Sequence, residues 1–211
     1  MTAGFARGLA IAALMPLAAM LAGCLPAAVI GGGAAVLAAQ DRRTSGTQIE
    51  DEGIELRAGN RISERFGDKV HVNITSFNRS VLLTGEVQDD ASRAEVEKLV
   101  LAVPNVRGAS NELQVAGISS LGSRCNDSFI TSKIKARFVD ARKFNPVHVK
   151  VVTEATVVYL LGQVTEQEAS DAVELARTTG GVRKVVKIFD YCKPTDPGCR
   201  PGDSAKSGTK K

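Results

Sequence analysis

An internal repeat constrains the fold of this chain more than any other feature of its sequence. Residues 70–74 (VHVNI) match residues 147–151 (VHVKV), and residues 83–87 (LTGEV) match residues 160–164 (LLGQV), both at an offset of 77 positions. A long repeat of this kind marks two copies of one structural unit. The sequence therefore predicts two similar small domains in tandem rather than one large core.

The spacing of apolar residues predicts the same order of elements in both copies. The first helix would bury Asp51, Ile54, Ala58 and Ile62 in one copy and Asp127, Ile130, Ile134 and Phe138 in the other. The second helix would bury Val96, Leu99, Val100 and Val103, or Ala169, Ala172, Val173 and Ala176. A β-like run closes each copy, over residues 106–115 and 182–189. The expected fold class is α+β, with tandem αββαβ domains at residues 48–116 and 124–192 and a linker at 117–123.

Local signals support these elements. Thr165 and Glu168 have the spacing of a capping box at the start of a helix, and Asp89 or Asp90 can cap the equivalent helix of the first copy. A glycine lies near the end of strand two in each copy, as Gly85 and Gly162. We interpret both glycines as structural residues, at a bulge or beneath a closely packed helix.

The first 23 residues have the pattern of a signal peptide. Arg7 is the only charged residue before Asp41. Prolines and a glycine triplet interrupt the apolar run after Arg7, so no uninterrupted piece is long enough for a transmembrane helix. A basic residue followed by a short apolar segment and small residues is typical of a signal peptide that is removed on export.

The predicted cleavage point, residues 21–24 (LAGC), resembles the lipobox of bacterial lipoproteins. This resemblance implies that Cys24 is the acylated, palmitate-bearing N-terminus of the mature chain, since several acyl chains suffice for stable anchoring. Leu25 follows in place of Asp, which by the sorting pattern of lipoproteins implies the outer membrane, with the domains facing the periplasm. Residues 24–47 are expected to form a lipidated tether and residues 193–211 a flexible basic tail, neither of which should pack.

The paired αββαβ blocks, each with a glycine at the end of strand two, resemble BON domains, the bacterial OsmY and nodulation family. Residues 41–48 (DRRTSGTQ) are also similar to the start of the first domain in outer-membrane lipoproteins that carry two BON domains. The resemblance implies an envelope protein that binds anionic phospholipids, phosphatidylglycerol and cardiolipin, mainly through its second domain. It also implies a role in envelope integrity and cell division, with envelope or division proteins as further partners.

Charge separates the two copies. Residues 48–116 contain 8 basic and 12 acidic side chains, net −4, whereas residues 124–192 contain 11 and 8, net +3. Charge asymmetry alone can serve solubility. Together with the family resemblance, it indicates that the second, basic copy binds lipid.

The first helix of the second copy is the expected lipid contact. Phe129, Lys133 and Arg137 follow at i, i+4 and i+8 and form a stripe beside the buried face. Further bases lie close in sequence: Lys135, Arg142 and Lys143. The first-domain counterpart of Phe129 is Gly53, so the fold does not require an aromatic residue there. In the resembling family this helix carries membrane-facing aromatic and basic residues, so we expect these six residues to bind lipid.

No catalytic, metal or cofactor site is expected. His71 and His148 occupy one strand position in two copies, and their Val neighbours point the other way, so both should lie on more exposed faces of separate domains. Two histidines and scattered cysteines do not supply the converging ligands of a zinc site. The sequence also lacks a nucleophile-elbow pattern such as Gly-x-Ser-x-Gly. With a net charge of only +4, it lacks the dense basic face of a nucleic-acid binder.

Besides Cys24 the chain has three cysteines, an odd number in an oxidising compartment. Cys125 and Cys192 flank the second copy, whereas Cys192 and Cys199 enclose a turn-rich loop, and either pairing could staple a small domain. A short loop closes easily, which favours Cys192 with Cys199. The sequence does not decide between these pairings.

A second class of function stays open at this point. The chain could be a periplasmic structural adaptor that docks an envelope protein or peptidoglycan without recognising lipid directly. A lipid binder should associate with anionic vesicles unaided, whereas an adaptor should do so only with its partner. Vesicle flotation therefore separates the two hypotheses.

Overall fold

A computed structural model describes residues 41–196 and 199 of the chain. The predicted signal peptide at residues 1–23, the lipidation site Cys24 and most of the predicted tail lie outside the described residues. The first domain consists of α1 (Ser45–Phe66), β1 (His71–Phe77), β2 (Ser80–Val87), α2 (Asp90–Leu101), β3 (Gly108–Asn111) and β4 (Gln114–Val115). The second consists of α3 (Leu121–Ala141), β5 (Val149–Glu154), β6 (Val157–Val164), α4 (Glu166–Arg177) and β7 (Lys184–Tyr191). These elements confirm the α+β class and the αββαβ order, except that the last strand of the first domain is broken in two.

The first helix of each domain begins earlier than the sequence predicted. Helix α1 begins inside the predicted tether at residues 24–47, because the Thr44 hydroxyl accepts a hydrogen bond from the amide of Thr47 at 3.1 Å. Helix α3 begins inside the predicted linker at residues 117–123, where the Ser120 hydroxyl caps it. Side-chain caps of this kind satisfy backbone donors in the first turn, so they extend a helix beyond its apolar face.

Each domain packs two helices on one face of its sheet. Strand β1 runs antiparallel to β2, which runs parallel to β3 and β4; in the second domain β5 is antiparallel and β7 parallel to β6. The predicted face of the first helix is buried in both domains. The capping box of Thr165 and Glu168 is likewise confirmed. The two helices and the sheet enclose a separate apolar core in each domain.

A buried aspartate ties the first helix to the β-hairpin in each domain. Asp51 accepts hydrogen bonds from the backbone amides of Asn78 and Arg79 at 2.8 and 2.7 Å. Asp127 accepts the equivalent bonds from Ala155 and Thr156, both at 2.9 Å. These four turn residues have positive φ angles, a backbone typical of two-residue hairpin turns. The aspartate at the start of each predicted helical face is therefore part of the fold.

The two repeated glycines are required by the close approach of a neighbouring backbone carbonyl. A Cβ atom on Gly85 would lie 2.0 Å from the carbonyl oxygen of His71, and one on Gly162 would lie 2.3 Å from that of His148. Gly85 also has a φ of +115°, which other residues rarely adopt. The prediction of a structural role holds: the neighbour of Gly85 is the paired strand β1, and the neighbour of Gly162 is His148, which ends a short 3₁₀ helix (Pro146–His148) directly before β5.

The domains pack together through the faces of their sheets that point away from the helices. Phe77 and Leu82 of the first domain share an apolar cluster with Val157, Tyr159 and Leu161 of the second. Because of this contact, strands β2 and β6 are buried on both faces. Polar bonds rim the cluster; they join Asn73 to Glu154, Asn78 to Asp190 and Glu55 to Lys150.

Residues 41–43 correct the prediction that the tether does not pack. The Arg42 guanidinium donates to both carboxylate oxygens of Glu168, at 2.6 and 2.9 Å, and to the carbonyl of Gln163 at 2.8 Å. Arg43 bonds Asp51 at 2.9 Å and lies 4.1 Å from the Phe77 ring centroid. The polar composition of this segment does not show that it packs. It packs because its two arginines form charge-assisted hydrogen bonds with carboxylates of the folded domains.

Candidate membrane-binding site

Helix α3 turns an apolar line of side chains to solvent, opposite the face that it buries. Leu121, Phe129 and Val139 are 75%, 62% and 60% exposed. The buried face, by contrast, contains Ile130 and Phe138, each 1% exposed. Large apolar side chains this exposed and arranged along one helix are typical of a surface that another apolar phase covers.

A cation accompanies the aromatic residue of this line. The Lys133 ammonium lies 4.9 Å from the Phe129 ring centroid, within range of a cation–π contact. It also donates a hydrogen bond to the backbone carbonyl of Gly180. The structure thus brings Phe129 and Lys133 together at the surface, beside the loop that follows α4.

Arg137, the third residue of the predicted stripe, is half-buried and contacts the end of α4 instead of the exposed apolar line. Its guanidinium donates to the carbonyl of Leu175 at 2.7 Å and to the hydroxyl of Thr179 at 2.8 Å, at the end of α4. In the first domain Arg61 donates in the same way to the carbonyl of Leu99, at 3.3 Å. Arg137 therefore ties two helices together, a role that the fold uses in both domains.

The three remaining predicted bases lie at the C-terminal end of α3. Lys135 and Arg142 are exposed and form no ion pair with the described residues. Arg142 has φ 50° and ψ 28° and ends the helix in the left-handed conformation. Lys143 pairs with Asp171 at 2.9 Å. Lys135 and Arg142 thus add two uncompensated positive charges near the apolar line.

The first helices of the two domains, α1 and α3, differ in charge. Helix α1 carries five acidic and three basic residues, whereas α3 carries two acidic and four basic residues. One of the two acids of α3, Asp127, is buried under the hairpin. Helix α3 therefore presents a positive surface, which attracts anions, and α1 does not.

Leu121 and Val139 are not part of the stripe predicted from the sequence. That stripe runs beside the buried face, whereas these two residues lie on the opposite side of the helix. The signal was present, because both residues fall on the side of the helix away from Ile130 and Ile134 at 3.6 residues per turn.

The prediction that His71 and His148 lie on exposed faces is wrong. His148 is 3% exposed and its Nδ1 lies 3.5 Å from the Glu168 carboxylate, which Arg42 covers from the other side. His71 is half-buried, and its Nδ1 lies 2.9 Å from the carboxylate of Glu86. Packing of the other domain and of residues 41–43 covers these faces, which an isolated domain would leave in water.

The carboxylates near the histidines have shifted pKa values of opposite sign. Burial opposes ionisation of Glu168, but hydrogen bonds from His148, Arg42 and Thr165 outweigh it and hold its pKa well below the usual range. Burial raises the pKa of Glu154, although a hydrogen bond from Asn73 opposes the shift. Among the described residues, one group can supply three metal ligands, and it comprises His71, Glu86 and Glu154.

The structure joins Cys192 and Cys199 by a disulfide and leaves Cys125 exposed as a thiol. Cys199 is 2% exposed, so this part of the predicted tail at residues 193–211 is packed. The disulfide holds it against the end of β7, a contact that composition does not reveal.

The chain is a protein of two small α+β domains, the second of which has a cationic, partly apolar helix on its surface. The model of the BON domain matches residues 51–117 and 126–192. The chain therefore belongs to the BON-domain family.

Its relatives narrow the class. The chain is 39% identical over 185 residues to the outer membrane lipoprotein DolP of Haemophilus influenzae, covering 86% of this chain and 95% of that protein. It is 30% identical to a 21 kDa hemolysin of Actinobacillus pleuropneumoniae, covering 72% and 79%, and 32% identical to the osmotically inducible protein Y of Escherichia coli, covering 54% and 58%. The chain is thus a two-domain outer-membrane lipoprotein of this family. In the part that the structure describes, no helix is long and apolar enough to cross a membrane.

Proposed function

We propose that this lipoprotein binds anionic phospholipid through helix α3 of its second domain and supports envelope integrity and cell division. The observation that carries the proposal is the exposed line of Leu121, Phe129 and Val139 beside Lys133 and Lys135. An amphipathic helix with apolar side chains next to cations is suited to the boundary between headgroups and acyl chains. Phosphatidylglycerol and cardiolipin supply the negative charge.

The expected binding energy is modest. Each cation near an anionic leaflet contributes about 1 kcal/mol, and full burial of a large apolar side chain contributes about 1.5–3 kcal/mol. Partial insertion of Phe129 with two or three cations would therefore bind weakly and be sensitive to salt. An acylated Cys24 would compensate, because tethering holds the domain at high local concentration beside the leaflet.

Arg137 should contribute less to lipid binding than its place in the predicted stripe indicates. Its guanidinium is committed to Leu175 and Thr179, so its reversal to glutamate would damage the fold as well as the surface. Lys135 and Arg142 are better targets, because both are exposed.

The test is flotation of residues 40–211 with vesicles of phosphatidylglycerol or cardiolipin. Phe129→Ser and, separately, Lys135→Glu with Arg142→Glu should each reduce flotation at least tenfold while circular dichroism stays unchanged. The matched controls lie in the first domain: Leu56→Ser, which removes an apolar side chain that is 66% exposed, and Lys98→Glu with Arg107→Glu. Both controls should float as the unmodified protein does.

Two outcomes would contradict lipid binding by α3. Flotation that both α3 variants retain would mean that the contact lies elsewhere. Flotation that requires added peptidoglycan or an envelope protein would instead support the structural adaptor, because that function needs no direct recognition of lipid.

A further inference from the structure

Three potential metal ligands converge where the two domains meet. One nitrogen of His71 and one oxygen each of Glu86 and Glu154 all lie within 4.8 Å of one another. His71 Nδ1 is 2.9 Å from a Glu86 oxygen. Two of these residues come from the first domain and the third comes from the second.

The fold places each ligand by a separate contact. His71 and Glu86 are direct partners in the register of β1 and β2, so their side chains leave the sheet on the same face. Glu154 is the last residue of β5 and reaches the same face when the domains pack. The Asn73 amide donates to a Glu154 oxygen at 2.7 Å, and the Thr84 hydroxyl lies 3.5 Å from it. These bonds orient the second carboxylate toward the first.

Burial makes the pair of carboxylates costly without a cation. Glu86 and Glu154 are each 6% exposed, and two negative charges held close together in a buried position repel. Arg124 lines the crevice of about 340 Å³ beside the cluster, but its guanidinium donates to the side chain and carbonyl of Ser119. A small cation that enters the crevice would neutralise the pair.

The internal repeat shows that the fold itself does not require either carboxylate. At the offset of 77 residues, the counterpart of Glu86 is Gln163 and the counterpart of Glu154 is Phe77. Both counterparts occupy the same strands in the other domain without a charge. The two acids are therefore specific to the place where the domains meet beside His71.

We propose that His71, Glu86 and Glu154 bind one Zn²⁺ ion, which clamps the two domains together. One imidazole nitrogen with two carboxylate oxygens is a mixed donor set that suits zinc, whereas calcium and magnesium prefer oxygen ligands alone. Ligand atoms around tetrahedral zinc lie about 3.4 Å apart, given metal–ligand distances of about 2.0–2.2 Å. The present separations reach this geometry through small side-chain movements, and water from the crevice fills the fourth position.

The test measures zinc binding by the full chain, purified in detergent, with ZnCl₂ alone as the probe. All proteins carry Cys125→Ser, which removes the exposed thiol as a competing ligand. Isothermal titration at neutral pH should find one tight site, and His71→Gln or Glu154→Gln should weaken it at least tenfold. Glu52→Gln, on the exposed side of α1, is the matched control and should bind as the parent does. Zinc should also raise the thermal midpoint of the parent and of the control but not of the site variants.

Glu86→Gln provides a second route, because the equivalent position of the other domain already holds Gln163 and tolerates it. Circular dichroism verifies that each variant is folded. Zinc affinity that is unchanged in folded His71→Gln, Glu86→Gln or Glu154→Gln protein would overturn the proposal, and so would the absence of zinc binding by the parent. Calcium that binds as tightly as zinc would contradict the assigned metal.

Discussion

Replacing Arg42 with alanine tests whether the end of the tether is part of the second domain. Arg42 and Glu168 form a two-pronged ion pair whose side chains are only 6% and 15% exposed. The same guanidinium also donates to the carbonyl of Gln163. Arg42→Ala removes all three bonds and leaves the Glu168 carboxylate with the neighbouring His148 and Thr165.

The expected cost follows from this geometry. Removing one partner of a buried ion pair costs about 3–5 kcal/mol, and a single hydrogen bond to a charged group contributes about 1.5–3 kcal/mol. Glu168 is not fully buried and retains other partners, so we expect a loss of about 2–3 kcal/mol in the free energy of unfolding. For a chain of this size, that loss lowers the thermal midpoint by about 5–10 °C.

Tyrosine fluorescence is the appropriate assay, because the chain has two tyrosines and no tryptophan. Tyr159 and Tyr191 both lie in the second domain, so their signal in a urea titration reports on that domain. Arg177→Ala is the matched control, since its pair with Glu174 is 60% and 48% exposed and surface pairs contribute about 0–1 kcal/mol. A loss in Arg42→Ala no larger than in the control would refute the reasoning.

The same variant should change how stability depends on pH. The pKa of Glu168 lies below its ordinary value of 4.5 in the folded chain, so ionisation of this carboxyl favours folding. Its contribution is complete above the ordinary value and is lost as the pH falls through and below it. Arg42→Ala removes one cause of the shift, and its stability should therefore fall less between pH 6 and pH 3 than that of the parent. An identical pH dependence in both proteins would contradict this assignment.

Two further predictions concern the N-terminal segment. Cys24→Ser should leave an unprocessed precursor that does not incorporate labelled palmitate, because the lipobox then has no thiol to acylate; a variant that is still labelled and processed would exclude the lipobox. Leu25→Asp should move the protein to inner-membrane fractions of a sucrose gradient, whereas an unchanged outer-membrane distribution would show that residue 25 does not govern sorting.

Periodicity predicted the elements of this fold because it reports which side of a helix or strand meets its own core. The apolar face of each first helix and the capping box of Thr165 and Glu168 are in this sense local properties. The burial of His148 is not local, since it depends on Arg42 and Glu168, which are distant in sequence. The same limit applies to His71 and Glu154, which meet only when two domains pack face to face.

The basic residues of the candidate site show a second limit of prediction from sequence. A helical stripe groups Lys133 with Arg137 by spacing alone, but it does not indicate what each side chain contacts. Arg137 reaches the last turn of α4, whose carbonyls lack partners within their helix, whereas Lys133 donates to the Gly180 carbonyl in the loop beyond α4 and lies next to the exposed Phe129 ring. Spacing therefore groups these bases on one helix, and the contacts of each base distinguish structural residues from those available to a ligand.

Comparison of the two domains helps to distinguish residues that the fold needs from residues that are available to a ligand. Where both copies share a residue and its contact, as with Asp51 and Asp127, the fold needs it. Arg57 of α1 and Lys133 of α3 occupy equivalent positions but have different contacts. Arg57 pairs with Glu50 at 2.5 Å, whereas the position equivalent to Glu50 in the second domain holds Asn126, which has no charge. One helix neutralises its cation and the other leaves it next to an exposed aromatic ring. Residues that differ between the copies in this way are not needed by the fold, so we expect their substitution in α3 to change the proposed contact with an anionic surface and not the folding of the domain.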